Sequence, residues 1–451
     1  TVIGIPAVAY GGSLTFLQLT FGYIIGRILV SIIFLPQYFR GELSTAYQFL
    51  GNRYGDLMRG AASITFLVTR LLADGVRLFA TAIPLKVISD SAGLDLSYFA
   101  IIAAIGVVTI IYTFIGGIKA VIWMDVVQML VYIGGAVGAM FVLLGRVPDG
   151  WWMDAVTAGK TRLVDFGVGG SFSDWLTQPY TFFTAVVGGA IFSMASHGTD
   201  QLIVQRLLTC RNLRDSQKAL VTSGFVVMLQ FALFLFVGLL LWSYYGAASP
   251  EELGLARGDE VFPKFIIEGL PPGVSGLLLA GIVAAAMSTL SSSLNSLASS
   301  SMLDLYERIR GRVIEGDRAL FMSRMLTLVW GVIFIFFANL FEDQENPVVE
   351  LGLAIASFTY GGLLGVFLLG LVNKATDQKD ALIAFVVTIA FMVWVIFAVW
   401  YSPTDGWIIY LDPSDEAITA GGLRAIGWPW YTVIGSMVTL VVGSLLALRH
   451  R

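Results

Sequence analysis

Apolar runs of about 20 residues, the length a helix needs to cross roughly 30 Å of hydrocarbon, recur along the whole chain. They lie near 13–36, 60–91, 97–116, 120–146, 181–207, 219–246, 274–300, 319–341, 348–372, 380–401 and 429–448. The pattern predicts about 11 full spans. The opening TVIGIPAVAYGG lacks the basic start and small-residue cleavage site of a signal peptide, and reads as the second half of a further span. No run alternates apolar and polar residues over segments of about ten, the mark of a membrane β-barrel. The expected class is an all-α membrane protein.

Two spans carry interruptions at places that can be equivalent. IGIPAVAYGG (Ile3 to Gly12) holds a Pro and several Gly, and VVGGAIFSMASHGTDQ (Val186 to Gln201) holds small and polar residues where apolar ones belong. Unwound backbone inside a bilayer needs a partner that lipid cannot supply, so paired breaks point to a midplane binding site. About five spans follow each break, as in a five-plus-five inverted repeat. The plainer reading is a pair of ordinary kinks packed against neighbours.

Lys and Arg set the orientation. Connections holding Arg40, Arg53 and Arg59, then Arg206, Arg211, Arg214 and Lys218, then Arg308, Arg310, Arg312, Arg318 and Arg324, then Lys374 and Lys379, alternate with acidic ones such as SDSAGLDLS, FEDQENP and LDPSDEA. The 37–59, 208–218, 301–318 and 373–379 connections and the C-terminal RHR are therefore expected in the cytoplasm. The 147–180, 247–273 and 402–428 connections are expected outside.

Composition narrows the function. Of 451 residues 57% are hydrophobic and 13% charged, with a net charge of −4, so there is no basic patch for nucleic acid. A single cysteine, Cys210, forms no internal disulfide. The chain contains no GxxxxGK[ST] loop, no HExxH, no GxSxG and no TVGYG-like filter, the signatures of a nucleotide-driven pump, an intramembrane hydrolase and a channel. An enzyme is not expected.

Polar residues inside the spans carry the candidate chemistry. In AAAMSTLSSSLNS (Ala284 to Ser296), Ser288, Ser291 and Ser292 share a helix face, and the carbonyl of Ala285 lies one turn before Ser288 and Thr289. Clustered hydroxyl and carbonyl oxygens suit a small hard cation such as sodium. Small hydroxylated residues also let helices pack closely, which is the competing reading. Asp125 can add an anionic oxygen to a second cation site with Ser291 and Ser292, or can be an interfacial carboxylate paired with Lys119. Arg70 and Asp74 can pair along one face, with Arg77 within a turn; a structural and a solute-facing role both fit. Arg27 has no acidic neighbour within a turn, so a carboxylate on another span, a water-filled cavity or the solute is the expected partner. Asp200 is expected to cap a resuming helix. His197 alone supports neither a metal site nor a proton relay.

The segments YTFIGGIKAVIWMDVVQ, GTDQLIVQR and AAAMSTLSSSLNS followed by LDLY, in this order, resemble the solute:sodium symporter family, which includes sodium-coupled sugar, sialic acid, proline, monocarboxylate, vitamin and iodide transporters. The resemblance implies a LeuT-type five-plus-five inverted repeat with additional peripheral helices in one transmembrane domain. Its first repeat would occupy 1–146 with a truncated first helix, its second 181–372, and the peripheral C-terminal helices 373–451. By position, Ala285, Ser288 and Thr289 match the common sodium site, whose remaining carbonyl ligands would lie upstream of Thr1. Asp125, Ser288, Ser291 and Ser292 match a second sodium site of some members. Thr1, Phe16, Thr20, Ser193 and Ser196 match solute-lining positions, and Asp74 with Arg70 resembles a Lys/Asp pair of the animal sodium/glucose cotransporters.

The implied function is symport of a small polar organic solute (sugar, sialic acid or carboxylate) with two sodium ions, by alternating access, in a bacterial inner membrane. Sodium ions, the solute and the lipid bilayer are the implied partners, and no oligomeric state is implied. Departures blur the solute class. The 219–246 span has no charged residue and 348–372 no glutamine, unlike some sugar transporters. Val76 stands where sialic acid transporters place a carboxylate-binding arginine, with Arg77 one residue on, about 100° around the helix. Ser196 replaces an aromatic gate. Proton coupling through Asp74 and Asp125 is an alternative, as is a transport-incompetent sensor or ion conduit on the same fold.

Overall fold

The computed structural model describes residues 2–41, 43, 45–91, 93–115, 118–311, 313–341, 348–411 and 422–450. Its principal helices are α1 (Gly4–Gly11), α2 (Gln18–Ile33), α3 (Asp56–Ser91), α4 (Tyr98–Ile115), α5 (Ile118–Leu144), α6 (Phe182–Gly198), α7 (Gln201–Leu208), α8 (Leu213–Tyr244), α9 (Pro272–Ser300), α10 (Gly316–Ala338), α11 (Val348–Val372), α12 (Gln378–Ala398) and α13 (Pro429–Ala447). Among the described residues, eight helices are long and apolar enough to cross a membrane. That is fewer than the expected spans. The 181–207 window holds a shorter apolar helix, Phe182–Gly198, and in the 97–116 window the stretch that is described throughout is Tyr98–Ile111 of α4. The 60–91 window falls within α3, where Arg70, Asp74, Arg77 and Lys86 dilute the apolar character.

Both expected interruptions fall at the C-terminal ends of the stretches that the sequence pattern marked. Helix α1 runs unbroken through Pro6, which occupies the first turn where a missing N–H costs little, and the chain leaves the helix only at Gly12. Helix α6 likewise runs through Gly188 and Gly189. These glycines are not breaks: Gly189 lies against the backbone of Leu19 and Gly22, and Gly188 against Pro429. The second interruption is the two-residue step Thr199–Asp200. At the far end of α9 the ladder widens into a π-turn, Ser301–Tyr306, a local feature common at functional sites.

The chain also contains a small sheet that was not expected. Strands β1 (Val399–Ser402), β2 (Gly406–Ile409) and β3 (Arg424–Ala425) lie antiparallel in the order β2-β1-β3. Aromatic and β-branched residues favour the strands, and Gly406, at φ +76°, supplies the turn.

The described chain divides into two compact units: Thr1–Leu17, Leu67–Leu163 and Val227–Leu353 form one, and Gln18–Phe66, Val164–Val226 and Ala354–Arg451 the other. In the first, α9 packs against α5, α10 and α4. Val131 lies against Gly281, Leu278 against Gly135 and Val274 against Gly138, which fixes α5 and α9 as antiparallel. In the second, α2 packs along α6 and α12 along α13. Gly22 and Gly26, spaced four apart on α2, let its backbone approach that of α6 at Val186, Ala190 and Ser193.

Candidate functional site

In the first unit the oxygen-rich face of α9 is turned inward. Ser288, Ser291 and Ser292 are buried, Ala285 and Thr289 half-buried. Thr289 Oγ1 donates to the carbonyl of Ala285 at 3.1 Å and Ser291 Oγ to that of Ser288 at 3.0 Å. Back-bonding of this kind satisfies the hydroxyl proton on the helix itself. The hydroxyl lone pairs then remain for another acceptor-seeking group, such as a cation.

Extended along the helices, the antiparallel register of α5 and α9 brings Asp125 level with Ser288. Asp125 is half-buried. Asp125 and the run of hydroxyls thus stand at the same level along one antiparallel helix pair. The side chain of Lys119, its proposed partner from sequence, lies outside the described residues, as do Thr1 and part of YTFIGGIKAVIWMDVVQ.

Asp74 has more partners than the sequence indicated. Its Oδ1 accepts from Arg77 at 2.6 Å, with Arg70 farther off at 3.6 Å, and its Oδ2 accepts from Ser293 Oγ at 2.5 Å. Asp74 and Arg70 are buried, whereas the Arg77 side chain is 54% exposed. The tight pair is therefore Asp74 with Arg77, and Ser293 ties α3 to α9. Phe16, fully buried, has its ring 5.7 Å from that of Phe231. From the connection after α5, Lys160 Nζ donates to the carbonyl of Tyr10 at 2.7 Å, and its burial pushes the ammonium pKa down.

In the second unit, Thr20, Ser193 and Ser196 lie on α2 and α6. Thr20 and Ser193 are buried, and Ser193 Oγ donates to the carbonyl of Tyr23 at 3.0 Å. Arg27 has a partner the sequence reading did not name: its Nε donates to His197 Nε2 at 3.2 Å. An imidazole nitrogen that accepts carries no proton, so the neutral ring is protonated on Nδ1, which faces Ser196 Oγ at 2.8 Å and the carbonyl of Ser193 at 3.1 Å. A buried guanidinium is thereby linked through His197 to a solute-lining candidate. Sequence reasoning missed this pair; the GxxxG spacing of Gly22 and Gly26, which permits the close approach, was the available signal.

The GTDQ segment is a joint. Tyr38 Oη donates to the carbonyl of Gly198, Thr199 Oγ1 to that of Ala195 at 2.9 Å, and the backbone N–H of Ala46 to Gln201 Oε1 at 2.7 Å. Asp200 caps α7, its Oδ1 accepting from Leu202 N at 3.0 Å, and its Oδ2 accepts from Tyr360 Oη. The capping role read from the sequence is the one it fills.

Comparison with solved structures shows a LeuT-type fold. The structure matches a Na+-coupled sialic acid symporter, described as substrate-bound and outward-open with a novel Na+-site, at a TM-score of 0.80 over 100% of this chain and 86% of that one, with 24% identity. The family model for the sodium:solute symporter family matches residues 1–388, and the chain belongs to that family, one of transporters and not of enzymes. It is 29% identical to the Homo sapiens sodium/iodide cotransporter over 392 residues, 84% of this chain but 58% of that protein. It is also 29% identical to the sodium/sialic acid symporter NanT of Aliivibrio fischeri over 453 residues, 99% of this chain and 82% of that protein.

Proposed function

We propose that the protein is a sodium-coupled symporter that carries a small polar organic solute, of the sugar, sialic acid or carboxylate type, by alternating access with two sodium ions per solute. The observation that carries this reading is the inward oxygen face of α9, with Asp125 on α5 level with Ser288. A hard cation needs several oxygens close together, and one full negative charge beside neutral oxygens favours a monovalent ion over none. Ala285, Ser288 and Thr289 would hold the first sodium, and Asp125, Ser288, Ser291 and Ser292 the second. Thr1, Phe16, Thr20, Asp74, Ser193 and Ser196 would face the solute. The half-exposed Arg77 beside Asp74 adds a cation that suits a carboxylate-bearing solute.

Sodium binding would favour the state in which the solute pocket is assembled, and its release where sodium is scarce would let the solute go. The repeats would occupy 1–146 and 181–372, with 373–451 peripheral. A bacterial inner membrane with the C-terminus in the cytoplasm fits the charge pattern and the NanT relative.

The test is uptake of labelled sialic acid, glucose and lactate by proteoliposomes. An inward sodium gradient should drive uptake of at least one of them, and a pH gradient in sodium-free buffer should drive none. Ser288→Ala, which removes an oxygen from both cation sites, should raise the half-saturating sodium concentration at least about tenfold, ~1.4 kcal/mol. Unchanged sodium dependence in that variant would overturn the assignment.

A further inference from the structure

We propose that Asp377, Asp380 and His450 form a binding site for one divalent transition-metal ion of the zinc or cobalt class, clipping the turn after α13 to the start of α12. All three belong to the second compact unit, and none is among the residues proposed for sodium or solute. One ligand atom from each lies within 4.8 Å of the others. His450 Nε2 is 3.0 Å from Asp380 Oδ2 and 3.6 Å from Asp377 Oδ2.

The second observation concerns Asp380. The residue is 5% exposed, and among the described residues its Oδ2 has no hydrogen-bond donor although an imidazole nitrogen stands 3.0 Å away. A buried carboxylate oxygen without a donor is costly, and a cation between the two atoms removes that cost. The spacing fits one. Two ligands each ~2.1 Å from an ion are ~3.0 Å apart at an octahedral angle and ~3.4 Å apart at a tetrahedral one.

Asp377 is free to take part. As N-cap of α12 it uses Oδ1 to accept from Asp380 N at 2.8 Å, which leaves Oδ2 for the ion. An imidazole nitrogen with two carboxylate oxygens is a donor set for zinc, cobalt or nickel, whereas magnesium and calcium favour oxygen alone. His450 and Asp377 are each nearly half exposed, so an ion can enter and water can complete its shell. The simpler rival is a protonated His450 paired with the two carboxylates.

The experiment uses the full chain, purified in detergent with a histidine-free tag and stripped with chelator. Cobalt(II) is titrated while its visible d–d absorption is followed, and zinc is titrated by calorimetry. One ion per chain is expected, with no competition from excess magnesium. His450→Ala and Asp377→Asn should each weaken binding at least about tenfold. Asparagine caps helices as well as aspartate does, so the second variant keeps α12 intact while removing a charged ligand. The proposal fails if cobalt does not saturate at one per chain or binds both variants as it binds the wild type. It fails equally if the only response is a loss of stability as pH rises through the histidine range, which is the ion pair alone.

Discussion

At the scale of single residues, the pairing of Arg27 with His197 is asymmetric in a way that can be measured. Arg27 is 5% exposed, its NH1 nitrogen has no hydrogen-bond partner among the described residues, and its Nε is held by a neutral ring. Removing the acceptor of a hydrogen bond from a buried charge costs ~1.5–3 kcal/mol, whereas replacing the charged group by an apolar one of similar shape costs less. His197→Ala should therefore destabilise the protein by ~1.5–3 kcal/mol, and Arg27→Met by ~1 kcal/mol or less. The double variant should be more stable than His197→Ala alone. Thermal unfolding of the four proteins in one detergent is the check, and equal losses from the two single changes would contradict the asymmetry. The sequence showed that Arg27 lacked a local partner. It did not show the partner, because His197 is 170 positions away and carries no charge pattern that points back to α2.

At the scale of elements, the step between α6 and α7 concentrates several joints on few residues. Asp200 both caps α7 and accepts from Tyr360 on α11. Asp200→Ala should cost ~1–2 kcal/mol for the cap and ~1–3 kcal/mol more for the charged acceptor taken from the Tyr360 hydroxyl. Tyr360→Phe, which leaves the cap in place, should cost only ~0.5–1.5 kcal/mol. A larger loss from Tyr360→Phe than from Asp200→Ala, measured by chemical denaturation, would assign the main role to the tyrosine. The cap was legible in the sequence because Asp before an apolar helix has a local mechanism. The helix interruptions were only roughly legible, since Gly188 and Gly189 look like breakers until the backbone of α2 is seen to lie against Gly189 and Pro429 to fill the space beside Gly188. The β1–β3 sheet was hidden for the opposite reason: its strands are short, and their aromatic residues read as the fringe of a span. For the proposed cation site, the serine face of α9 was read from helical spacing alone, but the level of Asp125 on α5 required the packing of Gly281, Gly135 and Gly138.

At the scale of the whole molecule, the family relation and the oxygen face of α9 lead to a linkage argument that needs no knowledge of the solute. An ion that binds the folded protein and not the unfolded chain stabilises it by RT ln(1 + [L]/Kd), ~1.4 kcal/mol when the ion is at about ten times its Kd. Sodium should therefore raise the midpoint of thermal unfolding, and potassium at equal ionic strength should not. The sodium-specific part of the shift should vanish in Ser288→Ala and shrink in Asp125→Asn, which keeps one oxygen but loses the charge. Coupling is reciprocal for binding free energies. If a solute binds α times more tightly with sodium present, sodium must bind α times more tightly with that solute present, and each can be measured by calorimetry in a buffer of the other. Agreement of the two factors would place ion and solute on one conformational equilibrium. A sodium-specific stabilisation unaltered by Ser288→Ala would show that the ion binds elsewhere and return the serines of α9 to the role of helix packing.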